Sequence, residues 1–344
     1  MNIIIGANGA GKSNLLSFFK LLNWMTFAPD QLQFYIGKVG GANSLLHDGA
    51  RTTPQIQALL TFDTEKGKNE YELRLFHAAS DTLIFAEERI RFQRNDVLQE
   101  SQWKSLGSGH RESNLLTAAN DGDQTAKVML NLLRGCVSYQ FHNTSDTARM
   151  KQRWDVEDSR YLKDDGANLA AFLYRMRSEN PKYYERILLT IRQIAPFISD
   201  FVLEPSFGTI LLQWRERNSD MVFGPHQISD GTLRAILLVA LLLQPEMNLP
   251  DLIILDEPEL GLHPYAIEIL AGLLQSVALK TQIIAATQSA SLLDYFDAED
   301  ILVAERSGRE SHFERLSSDK LEDWLDEYTL SELWRKNVIG GGPV

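Results

Sequence analysis

Eight consecutive residues, Gly6-Ala7-Asn8-Gly9-Ala10-Gly11-Lys12-Ser13, carry the spacing G-x-x-x-x-G-K-[ST] of a Walker A loop without a mismatch. Glycines at such positions let successive backbone N–H groups curl round a phosphate where a side chain would clash. Lys12 is a point charge able to reach the β- and γ-phosphates, and the Ser13 hydroxyl is a ligand for magnesium. The loop residues Gly6, Asn8, Gly9, Gly11, Lys12 and Ser13 are therefore candidates for nucleotide contact. A second signal is the apolar run Leu252-Ile253-Ile254-Leu255, which ends in Asp256-Glu257. A hydrolytic NTPase needs one carboxylate for Mg2+, often through water, and another to polarise the attacking water. Adjacent side chains on a strand point to opposite sides, so Asp256 can face the metal while Glu257 faces the γ-phosphate.

These groups must be carried by a strand, a turn and a helix. Residues 2–5 are a short apolar run that stops at Gly6, and residues 13–25 read as an amphipathic helix with its N-terminus aimed at the anion. Residues 251–255 read as a buried parallel strand, whose carboxyl end is where open α/β sheets place ligands. Helices are expected at 232–243 and 264–278, a strand at 281–286, and then short elements at 301–305, 312–316 and 320–324. Residues 58–63, 71–77 and 83–92 suggest an antiparallel subsheet, with an exposed loop at 37–49 and a long mobile connection at 99–123. A helix at 125–134 ends at Gly135, and a strand is expected at 136–141. Residues 167–177 and 182–198, punctuated by Pro181 and Pro196, form a candidate helical lobe. The reading is an α/β P-loop NTPase in three parts. Residues 1–141 hold the loop and the antiparallel lobe, 142–228 the helical lobe and following strands, and 229–344 the acidic pair.

A length of 344 residues fits one or two domains. The formal net charge of -12 excludes a histone-like or basic-arm mode of nucleic-acid binding. One cysteine, Cys136, excludes a disulfide scaffold and a Cys-based zinc site, and fits a reducing cytosol. The longest strongly apolar stretch, residues 235–243, is too short to span a membrane, and no signal peptide precedes the loop. A cytoplasmic chain without a membrane partner is expected. Arg89, Arg91, Arg94 and Lys104, and again Arg149, Lys151, Arg153 and Arg160, are either DNA contacts or solvated faces. The acids Asp294, Asp297, Glu299 and Asp300 read as an exposed turn rather than a nuclease metal site.

Gly6–Asn14, the loop Ile228-Ser229-Asp230-Gly231, the segment 256–259 and Thr287-Gln288-Ser289 fall in an order that resembles ABC-type ATPases. The closer resemblance is to the RecF/SMC-like branch of bacterial "AAA family" ATPases, some similar to the ATPase half of OLD-type nucleases. It extends to the ending Leu330-Ser331-Glu332-Leu333-Trp334 through Ile339-Gly340-Gly341. The resemblance implies an ABC-ATPase-like core with an antiparallel β subsheet and an inserted helical lobe. It implies ATP and Mg2+ as cofactors, hydrolysis to ADP and phosphate, and an ATP-dependent head-to-tail homodimer. Two ATP molecules would lie between the P-loop of one copy and the signature loop of the other.

On this resemblance Asn14 joins the nucleotide contacts, and Ser229, Asp230 and Gly231 touch the partner's ATP. Asp230 stands where transporters often have glycine. Ser229 or Asp230 as an ordinary helix N-cap is the plainer alternative. Residues 259–264 take the place of the D-loop, with His263 either there or capping the helix at Pro264. Gln288 occupies the place of a γ-phosphate-contacting histidine and supplies a hydrogen bond without titrating near neutral pH. Gln140 is the Q-loop candidate for metal or water, with His142 as the alternative and a merely polar strand end as the third reading. The implied catalytic set is Glu257, Lys12, Gln288 and Gln140, and the metal set Ser13, Asp256 and Gln140. Relatives carry a strand pair before the P-loop with an aromatic near adenine. Here five residues precede Gly6, so either the sequence begins at an internal start codon or the adenine contact comes from elsewhere. Phe18, Phe19 and Trp24, which equally suit a packed helix face, are the candidates, and missing strands would also leave a sheet edge open. The resemblance further implies a separately encoded nuclease or toxin effector, in DNA repair or antiviral defence. A nucleotide-gated interaction subunit with little turnover is the alternative, and a transport ATPase a third.

Overall fold

The computed structural model describes residues 1–97 and 99–342, so the last two residues of the 229–344 part lie outside it. From β1 (Asn2–Ile5) the chain turns through the glycine loop into α1 (Lys12–Phe27) and α2 (Gln31–Lys38). A meander follows, β2 (Gln55–Thr64), β3 (Gly67–Ala78), β4 (Thr82–Arg94) and β5 (Lys104–Gly107), then α3 (Leu115–Asn120), α4 (Gln124–Arg134) and β6 (Cys136–Tyr139). The next stretch holds β7 (Trp154–Asp155), α5 (Leu169–Glu179), α6 (Pro181–Ile194) and the short strands β8 (Ile198–Phe201), β9 (Thr209–Ile210), β10 (Trp214–Glu216) and β11 (Val222–Phe223). Then come α7 (Asp230–Leu242), β12 (Leu252–Asp256), α8 (Pro264–Ala278), β13 (Gln282–Thr287) and α9 (Ala290–Leu293). The hairpin β14 (Ile301–Ser307) and β15 (Glu310–Arg315) precedes α10 (Ser318–Leu325) and α11 (Leu330–Arg335). The chain divides into two units, Met1–Leu16 with Ser138–Val344, and Ser17–Val137. This division differs from the three sequence parts cut at 141 and 228.

The first unit is organised by a six-stranded sheet of order β15-β14-β1-β13-β12-β6. Ile3, Ile4 and Ile5 are fully buried, as a central parallel strand requires, and each such side chain contributes about 1.5–3 kcal/mol by leaving water. β1 runs parallel to both β13 and β14, with Ile5 opposite Thr287 and Val303, and β12 sets Asp256 opposite Ala286. The carboxyl ends are thus nearly flush, and the loop after β1, the acidic end of β12 and Gln288 after β13 emerge along one sheet edge. The C-terminal hairpin, entering from β14, covers that flank of β1, and the outer strand on that side, β15, is exposed along its length, so the sheet does end in the open edge expected.

The second unit is an antiparallel sheet of order β2-β3-β4-β5. Its inward residues Tyr71, Leu73, Leu75, Phe85 and Ile90 pack with Leu21, Leu22 and Met25 of α1 and with Met129 and Leu133 of α4. Phe18, Phe19 and Trp24 pack against the same core, and Trp24 stacks on Tyr35 at 5.8 Å, so the packed-face reading describes them. Residues 99–123 are not the bare connection expected, since they hold β5 and α3. Glu88, fully buried on β4, gathers them: its carboxylate accepts from Tyr71 Oη at 2.7 Å, Ser113 Oγ at 2.5 Å and Asn114 N at 2.9 Å. Burial pushes its pKa up against the pull of these donors. Glu112 likewise caps α2 from far along the chain, accepting from Leu32 N at 3.1 Å and Gln33 N at 3.0 Å.

Candidate functional site

The predicted phosphate-binding, catalytic, metal and signature-loop residues all belong to the first unit. In the loop, Gly9 and Gly11 sit at φ of 81° and 100°, where L side chains are strained. A Cβ on Gly11 would also lie 2.1 Å from Ser311 Oγ, and one on Gly6 would lie 2.3 Å from the Ala304 carbonyl oxygen. Lys12 is 6% exposed, and its Nζ donates to the carbonyls of Gly6 at 2.5 Å and Ala7 at 3.2 Å. Burial lowers its pKa, and the charges of Glu257, Asp256 and Glu259, in that order, oppose the shift. The lysine therefore lies within the field of three carboxylates while leaning on its own loop. Asn8, Gly9, Ser13 and Asn14 face solvent along the outer rim.

At the end of β12, Asp256 is approached by His142, whose Nε2 lies 3.7 Å from Oδ2. Gln140, the first candidate for this position, donates its main-chain N–H to Asp164 O at 2.8 Å, and its side chain makes no hydrogen bond among the described residues. β6 stops at Tyr139, two residues earlier than expected, so the chain has already turned and it is His142 that reaches the acid. Glu257 has left the strand conformation, with φ at 41°, a position costing about 1–2 kcal/mol for an L residue. Its N–H is held by Ala286 O at 2.7 Å, and its Oε1 accepts from Gln288 Nε2. The two residues assigned to base and switch therefore touch. Glu259 is buried; one oxygen accepts from the Thr287 hydroxyl, the other has no hydrogen-bond partner among the described residues, and burial raises its pKa.

In the loop before α7, Ser229 N-caps the helix by accepting from Thr232 N at 3.2 Å. His263 does the same for α8, its Nδ1 accepting from Tyr265 N at 3.3 Å. Asp230 opens α7 toward solvent, with the buried Lys151 ammonium 3.6 Å from its carboxylate. Gly231 is packed so tightly that a Cβ would fall 2.1 Å from Gly261 O. Sequence reasoning missed Arg234. Its guanidinium donates to Phe141 O at 3.1 Å, His142 O at 3.0 Å and Leu260 O at 2.9 Å, tying α7 to the segment after β6 and to the one after β12. The only signal was a lone cation in an apolar helix. In the second unit, Arg89, Arg91 and Arg94 are ion-paired at 2.6 Å to Glu72, Glu70 and Asp96, and Lys104 pairs with Asp123. Arg89 and Arg91 are also partly buried, each lying over the Trp103 ring.

Residues 1–294 match the family model described as "AAA domain, putative AbiEii toxin, Type IV TA system". No curated protein matches the chain. Among solved structures, an Smc head bound to the C-winged helix domain of ScpA aligns with a TM-score of 0.54 at 15% identity, over 94% of this chain and 91% of that one. An Smc head with an extended coiled coil bound to the C-terminal domain of ScpA, from Pyrococcus furiosus, aligns at 0.49 and 13% identity over 95% and 92% of the two chains. An SMC head domain from Thermotoga maritima aligns at 0.38 and 14% identity over 92% and 90%. The first of these carries the fold assignment. With a Walker A loop, an acidic strand end and this sheet order already in place, the chain belongs to the AAA domain family of that description, and is an AAA/ABC-ATPase-like domain with the fold of SMC heads.

Proposed function

We propose that this chain binds ATP with Mg2+, hydrolyses it to ADP and phosphate, and acts as a dimerising switch. The observation that carries the reading is the convergence of the glycine loop, Lys12, Asp256, Glu257 and Gln288 along one sheet edge, with Lys12 in the field of the acids. The site fits the nucleotide. Gly9 and Gly11 form a cradle that a Cβ would strain or fill, and Lys12 is a desolvated cation held only by carbonyls. Mg2+, when bound, supplies positive charge against the β- and γ-phosphates, and Ser13 and Asp256 are the residues that would hold it, with His142 beside Asp256.

In this reading Glu257 orients and polarises the attacking water, and its left-handed backbone fixes the carboxylate in advance. Gln288 holds that carboxylate and donates toward the transferred phosphate. Ser229, Asp230 and Gly231, at the N-terminus of α7, would meet the ATP of a second copy placed head to tail. The output is read by a separately encoded nuclease or toxin effector in a cytoplasmic defence or repair module. The ion-paired basic face of the second unit gives DNA no field of free charge to meet.

A second reading, a nucleotide-gated interaction subunit with little turnover, is favoured by one contact: the Glu257 carboxylate is already engaged by Gln288. Phosphate release and nucleotide affinity for wild type, Lys12→Ala and Glu257→Gln separate the two. Hydrolysis predicts lost affinity in the first variant and, in the second, retained affinity with release down by about 100-fold or more. Release undiminished in Glu257→Gln contradicts the assigned base, and negligible release by wild type at saturating ATP selects the gate.

A further inference from the structure

The hairpin β14–β15 runs beside the glycine loop and carries a cation that folding does not use. Arg306 and Ser311 are paired residues across this antiparallel ladder, so their side chains share a face. Ala304, two residues before Arg306, lies on the same face. Both neighbours touch the loop: Ser311 Oγ occupies the space beside Gly11, and Ala304 approaches Gly6, whose added Cβ would lie 3.1 Å from Ala304 Cβ. Other charged side chains here are engaged. Glu305 accepts from Gly341 N at 2.7 Å, and Arg315 donates to Glu299 O at 2.5 Å. Arg306 is exposed and makes no hydrogen bond or ion pair among the described residues, in a chain where acids outnumber Lys and Arg by 46 to 34.

Sheet order decides which part of a bound nucleotide this arginine meets. Asp256, Glu257 and Gln288 emerge from β12 and β13, on one flank of β1, and the hairpin lies on the other. A nucleotide whose terminal phosphate points toward the acids and their metal trails its α-phosphate toward β14. We propose that Arg306 is a further nucleotide-binding residue, its guanidinium donating to the α-phosphate oxygens of the nucleotide held in the same copy. A planar fork of N–H donors suits two phosphate oxygens, and its charge offsets that of the approaching acids. The assignment rests on the nucleotide-binding reading above and adds to it the residue that grips the α-phosphate.

The test is isothermal titration of ADP into wild type, Arg306→Ala, Arg306→Lys and Lys12→Ala, at low salt and at about 0.5 M salt. Removing a charged hydrogen-bond donor is expected to raise Kd about tenfold or more, with partial recovery in Arg306→Lys and a smaller penalty at high salt. Unchanged melting temperatures check that the exposed substitution leaves the fold intact. If Arg306→Ala binds like wild type while Lys12→Ala does not bind, the Arg306 assignment is wrong and the site reading stands. A penalty that persists undiminished at high salt puts Arg306 against the base and also overturns the phosphate contact. Failure of wild type itself to bind ADP or ATP removes the site reading and this inference with it.

Discussion

Arg234→Met tests whether one side chain holds the pieces of the site together. The guanidinium makes three hydrogen bonds to carbonyls at 2.9–3.1 Å, and a charged donor is worth about 1.5–3 kcal/mol per bond. The three losses are not equal. Leu260 is exposed and water can replace its partner, whereas Phe141 is buried and its carbonyl would be left unsatisfied. The net cost is therefore nearer one full bond and part of a second, about 2–4 kcal/mol. At about 1.4 °C per kcal/mol for 344 residues, melting should fall by about 3–6 °C. The segment released also carries His142, which stands beside Asp256, so kcat should fall about tenfold with KM for ATP nearly unchanged, because the loop lies elsewhere. Differential scanning fluorimetry and phosphate release on wild type, Arg234→Met and Arg234→Lys make the measurement. Lysine, a compact ammonium without the fork, should fall between the two. If Arg234→Met melts and turns over like wild type, the clamp carries no weight. If it melts lower but keeps kcat, the residue is structural only.

Two further predictions concern burial and backbone. Burial raises the folded pKa of Glu259 above its ordinary 4.5, so its contribution to stability is full below that value and is lost as pH rises through the raised one. Glu259→Gln keeps an acceptor for Thr287 and should melt with a flatter pH profile above about pH 4.5; parallel profiles for the two proteins would contradict the assignment. Gly9→Ala and Gly11→Ala both incur about 1–2 kcal/mol of left-handed strain, but only the second drives a Cβ into Ser311. Nucleotide affinity should accordingly suffer more at Gly11, and equal losses would show that Ser311 does not brace the loop.

What could be read from the sequence was chemistry written in contiguous residues. The loop 6–13 and the run 252–257 carry their spacing, strand and ligand groups together, and β1, α1, α8 and β12 followed within a residue or two. The meander was legible from alternation, and its strands proved longer because their ends are held by the neighbouring strand. What escaped depends on partners distant in the chain. α2 has no side-chain cap of its own, since Asp30 makes no such bond and the cap arrives as Glu112. β5 and α3 follow a polar, glycine-bearing stretch whose order comes from the buried Glu88. Arg234, Lys151 and Arg306 look like ordinary surface charges until the fold brings in Phe141, Asp230 and Ser311. The choice between Gln140 and His142 turned on where a strand stops, which apolar pattern fixes only loosely.

Molar mass from light scattering, with Mg2+ and ATP, on wild type and on Glu257→Gln reads the dimerising switch itself. Glu257→Gln is expected to form a stable ATP-dependent dimer, because the nucleotide is held and not cleaved, and wild type to dimerise only transiently as phosphate is released. A Glu257→Gln protein that binds ATP yet stays monomeric at every concentration would contradict the dimerising switch.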